Sequence, residues 1–163
     1  GIDALEEENY EEARKYLEIA AEQGDVTAQV QLGDCYSALC FMDLTREDCI
    51  EENREWSLEE DERRAYEWYM KAAEQDYPYA QCMVGECYYY GRSVKQSYKQ
   101  AYEWYMKAAE QDDPDAQFKV GECYYYGMSV EQNYRQAYKW YTKAAEQGHK
   151  NAQEKLKVVL KKI

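Results

Sequence analysis

The segment Ala65-Tyr66-Glu67-Trp68-Tyr69-Met70-Lys71-Ala72-Ala73-Glu74-Gln75 returns nearly unchanged at Ala101 and again at Ala137, a period of 36 residues. A fourth copy, Ala13 to Gln23, keeps Ala20-Ala21-Glu22-Gln23 but precedes its match by 52 residues, so 16 extra residues stand between them. Self-similarity at this period requires an array of small units, each too small to bury its own apolar face and completed by its neighbours. Within a unit Ala65, Trp68, Tyr69, Ala72 and Ala73 fall at i, i+3, i+4, i+7 and i+8, the stripe of an amphipathic helix, here called the WY helix. Asn9, Asp61, Ser97 and Asn133 share one register position ahead of it, and all four are N-capping residue types. Beyond its end Gly24, Asp76, Asp112 and Gly148 occupy a stop that tolerates left-handed backbone. Pro78 and Pro114 follow where a second helix begins, a position that suits proline.

The second helix carries Ala80, Val84, Cys87 and Tyr88 on one face and ends at Gly91; Ala116, Val120, Cys123, Tyr124 and Gly127 repeat the spacing. Gly85 and Gly121 sit in its middle, where glycine costs about 1 kcal/mol relative to alanine, so a close helix contact is the expected compensation. Val94 and Val130 anchor the loop back to the next WY helix.

The string Ala80-Gln81-Cys82-Met83-Val84-Gly85-Glu86-Cys87-Tyr88-Tyr89-Tyr90-Gly91-Arg92-Ser93-Val94, followed by the copy of the WY segment from Ala101 to Gln111, resembles the Sel-1-like repeat family. Val84 and Val120 stand where that family usually has leucine, Ser97 and Asn133 where it often has aspartate, and Leu39 replaces the loop glycine of the first repeat. The resemblance implies an all-α protein, a right-handed α/α solenoid related to tetratricopeptide proteins. Register places its helix pairs at about 9–39, 61–91, 97–127 and 133–163, with an insertion at about 40–56. The final helix keeps Ala152-Gln153 but has Lys157 for glycine, as suits a capping helix, and Lys161 and Lys162 complement its C-terminal dipole. A start in mid-unit is the expected appearance of a segment of a longer repeat protein.

Charge and composition exclude several functions. With 33 Asp plus Glu against 20 Lys plus Arg, a net charge of −13, the chain lacks the basic surface that nucleic acid requires. No run approaches the ~18 apolar residues of a membrane span, and the chain reads as one soluble domain. In the absence of a signal-like segment the expected compartment is the cytoplasm; a secreted or periplasmic protein would have had its signal removed. Cys35, Cys87 and Cys123 are equivalent positions read as small core hydrophobes, so at least four thiols are expected to titrate. In cysteine-rich members of the family disulfides clamp the two helices of a repeat, but here the facing WY helix offers Ala72, Ala73, Ala108 and Ala109. Cys40 and Cys49 are the candidates for a pair, and a zinc site with Cys35 lacks a fourth ligand. His149, the single histidine, falls at a cap position with no nucleophile placed beside it. The run Gly85 to Gly91 lacks the Gly-Lys-Ser/Thr ending of a phosphate loop, and Glu59 to Glu62 lacks the alternating ligands and glycine of a calcium loop. No catalytic residue, metal or cofactor is expected.

What remains is surface. By resemblance the second helix of each unit lines a concave groove, which makes Tyr79, Cys82, Glu86, Tyr89 and Tyr90, then Asp115, Phe118, Glu122, Tyr125 and Tyr126, with Asp34 in the first repeat, the groove-facing set. Aromatic rings beside Glu86, Glu122 and Asp34 suit a protein or peptide segment carrying Lys or Arg between apolar anchors. The expectation is therefore a non-enzymatic interaction scaffold or adaptor; the rival implied by cysteine-rich relatives, hydrolysis of the β-lactam kind, finds no nucleophile–base pair. Phe41 to Arg64, with ten acids and four bases, is the second candidate surface. Capping-box patterns at Thr45…Asp48 and Ser57…Glu60 predict a short helix after Thr45 and an elongated WY helix from about Ser57.

Overall fold

The computed structural model describes residues 15–43 and 58–163, in which all regular structure is helical. Helix α1 covers residues 15–22. It is followed by α2 (Val26–Asp43), α3 (Leu58–Glu74), α4 (Pro78–Tyr90), α5 (Tyr98–Glu110), α6 (Pro114–Tyr126), α7 (Tyr134–Glu146) and α8 (Lys150–Val159). The chain divides into two compact units, Gly1–Gln75 and Asp76–Ile163. The expected Asn9 cap, the helix after Thr45 and Cys49 lie outside the described residues.

The local signals act as the register requires. Ser97 and Asn133 precede α5 and α7 in extended backbone and accept from the N–H groups of Gln100 and Gln136. Asp61 is not a cap: α3 starts at Leu58, so Asp61 lies within its first turn, 6% exposed. The four stop residues Gly24, Asp76, Asp112 and Gly148 all have positive φ, between 60° and 93°. Pro78 and Pro114 open α4 and α6, where a missing N–H costs no helix bond. Where Leu39 replaces the glycine that ends α4 and α6, α2 runs on through 18 residues to Asp43 instead of stopping after 13.

In the first unit α2 packs against α3. The Tyr69 ring fills the space over Gly33, and its hydroxyl donates to Asp34 at 2.8 Å. In the second unit each second helix of a repeat packs most extensively on the WY helix that follows it, α4 on α5 and α6 on α7. Tyr105 and Tyr141, 1% and 0% exposed, are the large residues of its core. A Cβ at Gly85 would stand 2.5 Å from the Tyr105 ring, and one at Gly121 would stand 2.6 Å from the Tyr141 ring. The glycines are notches that admit tyrosine rings, which is the close contact expected for them. Trp104, the counterpart of Trp68 in the expected stripe, is only half-buried beside Tyr105, with the Lys107 ammonium 3.9 Å from its ring centre. The notch receives the tyrosine; the tryptophan one residue earlier falls at the edge of the buried face.

An amide ladder with buried acceptors, absent from the sequence reading, joins consecutive repeats. Gln75, Gln111 and Gln147 at the ends of WY helices donate to Gln29, Gln81 and Gln117 respectively, each at 2.9 Å. The acceptors are at most 3% exposed. Gln29 and Gln117 use their own N–H groups on the carbonyls of Ala21 and Ala109, and Gln81 donates to Asp76. Buried amides need such partners, so Gln29, Gln81 and Gln117 of the Ala-Gln pairs are structural residues.

The cysteine column is not uniform: Cys87 and Cys123 are buried, but Cys35 is exposed. Burial and the neighbouring Glu122 charge push the Cys123 thiol up to about 12. No described helix is long and apolar enough to cross a membrane.

Candidate tyrosine surface

Within the second unit α4 touches α6 and α6 touches α8, so the helices carrying the Tyr-Tyr-Tyr motif lie side by side. Their C-terminal ends are fixed by one device repeated. Gly91 and Gly127 end α4 and α6 in left-handed backbone, donating to the carbonyls of Cys87 and Cys123. The returning loops are latched by the side chains of Gln96 and Gln132, which donate at 2.8 Å to the carbonyls of Tyr89 and Tyr125. Ser97 and Asn133 N–H groups donate to Tyr88 and Tyr124 at 2.9 Å.

This latch places the first residue of the following WY helix against the motif. Tyr89 meets Tyr98 at 5.4 Å between ring centres and Tyr90 edge-on at 4.8 Å and 80°. One period later Tyr125 meets Tyr134 at 5.4 Å and Tyr126 at 4.9 Å and 80°. The outermost rings, Tyr90 and Tyr126, are each 53% exposed. Arg92 lies over Tyr90 at 4.8 Å, and Lys155 over Tyr126 at 5.0 Å. Tyr98 and Tyr134 were missing from the sequence-predicted set; their recurrence one residue after each cap was the available signal.

The acids of the set are already engaged. Glu86 receives the Lys119 ammonium from the next repeat at 2.6 Å and the Tyr105 hydroxyl at 3.2 Å. Glu122 stands 3.7 Å from the ammonium of Lys155, which donates to the Tyr126 hydroxyl at 2.9 Å. Burial works against the charge on both lysines, but the hydrogen bonds and charges of their partners more than offset it and hold both ammonium groups above the ordinary lysine value. The expectation of open carboxylates waiting for a cation is therefore not met: the protein supplies its own lysines, at the column Lys119 and Lys155, also 36 residues apart.

Of the other predicted residues, Tyr89 and Tyr125 are half-buried beneath the exposed rings, and Tyr79 is half-buried on the first turn of α4. Cys82 is 4% exposed within the core around Tyr105, and Phe118, 8% exposed, stacks on His149 with ring centres 4.5 Å apart. Both are packing residues rather than groove contacts, because each fills the gap between consecutive repeats. Asp115 is exposed and faces the His149 Nε2 at 3.0 Å, while His149 Nδ1 accepts from the Ala152 N–H and caps α8. Asp34 belongs to the first unit, where it is exposed and accepts from Tyr69. Among the described residues no group of three or more His, Cys, Asp or Glu is placed to hold a metal ion.

Four segments, residues 1–25, 52–77, 78–113 and 114–149, match the family model described as Sel1 repeat. No significant match to a curated protein was found. Among solved structures, c5321, a protective antigen present in uropathogenic Escherichia coli strains displaying an SLR fold, aligns over 94% of this chain with 36% identity and a TM-score of 0.79. The present chain spans 29% of that protein's length. A Sel1 repeat protein from Oxalobacter formigenes aligns over 88% of this chain and 96% of its own, with 33% identity and a TM-score of 0.67. Helicobacter pylori cysteine rich protein B is similar over 86% of this chain and 95% of its own, with 25% identity and a TM-score of 0.58. The fold is one used generally as a protein-interaction scaffold. With the left-handed stops Gly24, Asp76, Asp112 and Gly148 at the same place in all four matched segments, and the notches Gly85 and Gly121 at the same place in the last two, the chain belongs to the Sel1 repeat family.

Proposed function

We propose that this protein is a non-enzymatic scaffold that binds a protein or peptide segment along the tyrosine surface of its second unit. The observation that carries this reading is the duplication of the Tyr89-Tyr90-Tyr98 arrangement at Tyr125-Tyr126-Tyr134, with the outermost ring of each, Tyr90 and Tyr126, left half exposed. Packing explains Tyr89 and Tyr125; it does not require Tyr90 and Tyr126 to stand in solvent at the same place in each repeat. Rigid, amphipathic rings at a fixed interval provide anchoring area at low entropic cost, the character of interface hot spots. Apolar side chains of the partner rest on Tyr90 and Tyr126, with Tyr79 at the edge of the same helix layer.

The test is capture with the whole chain and with Tyr90→Ala, Tyr126→Ala side by side. Proteins retained by the parent and lost by the variant, with helical signal and melting temperature unchanged, support the tyrosine surface. Retention by the variant, with loss instead on removal of the acidic residues 44–55, would move the site to the insertion.

A further inference from the structure

Donors and acceptors balance in one repeat of the tyrosine surface and not in the next. Glu86 Oε1 accepts from the Tyr105 hydroxyl at 3.2 Å and from Lys119 at 2.6 Å, closing a triad. One period on, the corresponding residues are Glu122, Tyr141 and Lys155, and the triad is open. Lys155 stands 3.7 Å from Glu122 and gives its hydrogen bond to Tyr126 instead. The Tyr141 side chain is 0% exposed, and its hydroxyl is the buried side-chain polar atom left without a partner among the described residues. The Lys155 ammonium, with three N–H groups, thus stands beside the Glu122 carboxylate, the counterpart of the one that accepts from Tyr105, and the Tyr141 O–H is orphaned. In sequence, α8 and the residues after it, 150–163, hold Lys150, Lys155, Lys157, Lys161 and Lys162 against Glu154 alone. On α6 the facing charges are Lys119 and Glu122, and Asp115 is taken up by His149.

We propose that Lys155 is the anion contact of the partner site: a segment lying on Tyr90 and Tyr126 brings an aspartate or glutamate side chain to the Lys155 ammonium, and Glu122 turns to accept from Tyr141 as Glu86 does from Tyr105. The inference rests on the tyrosine-surface reading and names its partner's chemistry, acidic with apolar anchors rather than basic. It follows from accounting for each polar group: a buried hydroxyl left unsatisfied destabilises the free protein, and a partner carboxylate that releases Glu122 allows that hydroxyl to be satisfied on binding.

Three short synthetic peptides with the same leucine and phenylalanine spacing, differing only in having Glu, Gln or Lys at the intervening positions, serve as probes in fluorescence anisotropy with the full chain. The Glu peptide is expected to bind about tenfold more tightly than the Gln peptide at low salt, the scale of one charge-assisted hydrogen bond. Lys155→Gln should abolish that preference, Lys155→Arg should keep it, and Lys150→Gln, on the same helix, should leave it intact. In protein labelled at the tyrosine ring carbon that bears the hydroxyl, the Glu peptide should slow exchange of a hydroxyl proton whose signal is absent in Tyr141→Phe. A preference for the Lys or Gln peptide, binding of none, or a Glu preference that survives Lys155→Gln overturns the proposal. Insensitivity of all three peptides to Tyr90→Ala, Tyr126→Ala is a different failure, that of the tyrosine surface itself. Self-association of the free protein that Lys155→Gln abolishes would also overturn a separate partner, because residues 1–64, with 20 acids and 6 bases, would then supply the acid from a second copy.

Discussion

Tyr105 and Tyr141 occupy the same position in consecutive repeats, both seated over a glycine, and their hydroxyls meet different surroundings. Removing the Tyr105 hydroxyl leaves Glu86 with one donor fewer, so Tyr105→Phe should cost about 1.5–3 kcal/mol, the range for a hydrogen bond to a charged group. Tyr141→Phe removes an unsatisfied buried group and should leave stability unchanged or higher. Urea unfolding of the two variants checks the order, and a larger loss for Tyr141→Phe would show that its hydroxyl is satisfied. The sequence made the two tyrosines indistinguishable, because both belong to the same Trp-Tyr pair; what separates them is that Glu86 accepts from the Tyr105 hydroxyl and that of Tyr141 has no partner. Trp104 teaches the same lesson at the edge of the stripe: its spacing fits the buried face as well as that of Tyr105, but only one of the two rings lies over the notch.

At the scale of the element, glycine within a helix is a local loss turned into an interhelical gain. Gly121→Ala improves helix propensity by about 1 kcal/mol. Its Cβ, however, would lie 2.6 Å from a ring that is fully enclosed. Displacing a packed ring costs typically 1–3 kcal/mol, so the variant should melt lower than the parent, and in a near one-dimensional array the loss should fall first on α6 and α7. A rise in melting temperature would mean that the ring yields freely. Gly85 and Gly121 were legible as contact points because glycine in a helical pattern has few other uses. The Gln ladder was not, since a glutamine in an amphipathic pattern reads as solvent-facing, and only the fold buries Gln29, Gln81 and Gln117 against amides 30 to 46 residues away.

For the whole molecule, burial of protonated thiols and phenols sets the pH response. Burial is the first cause that raises the Cys82, Cys123, Tyr105 and Tyr141 values above their ordinary 9.0 and 10.0. A folded-state value above the unfolded one contributes stability that is complete below the unfolded value and is lost as pH rises toward the folded one. The melting temperature should therefore hold at neutral pH and fall progressively above pH 9, the ordinary thiol value, with a further fall above 10. Alkylation of native protein in mildly alkaline buffer should leave Cys82 and Cys123 unmodified; rapid modification of either would place it outside the core. The charge of the molecule is just as uneven: residues 1–64 hold 20 acids and 6 bases, residues 65–163 hold 13 and 14. The overall charge of −13 thus misdescribes the tyrosine surface, which lies in the nearly neutral part and carries lysines. The sequence by itself determined the period, the helices, the left-handed stops and the tyrosine columns, because each depends on backbone conformation and side-chain spacing within a few turns. Only the tertiary structure decided that Lys119 neutralises Glu86, that Cys82 and Phe118 are buried, and that the Tyr141 hydroxyl is left over, because these depend on the distance between side chains brought together from neighbouring helices.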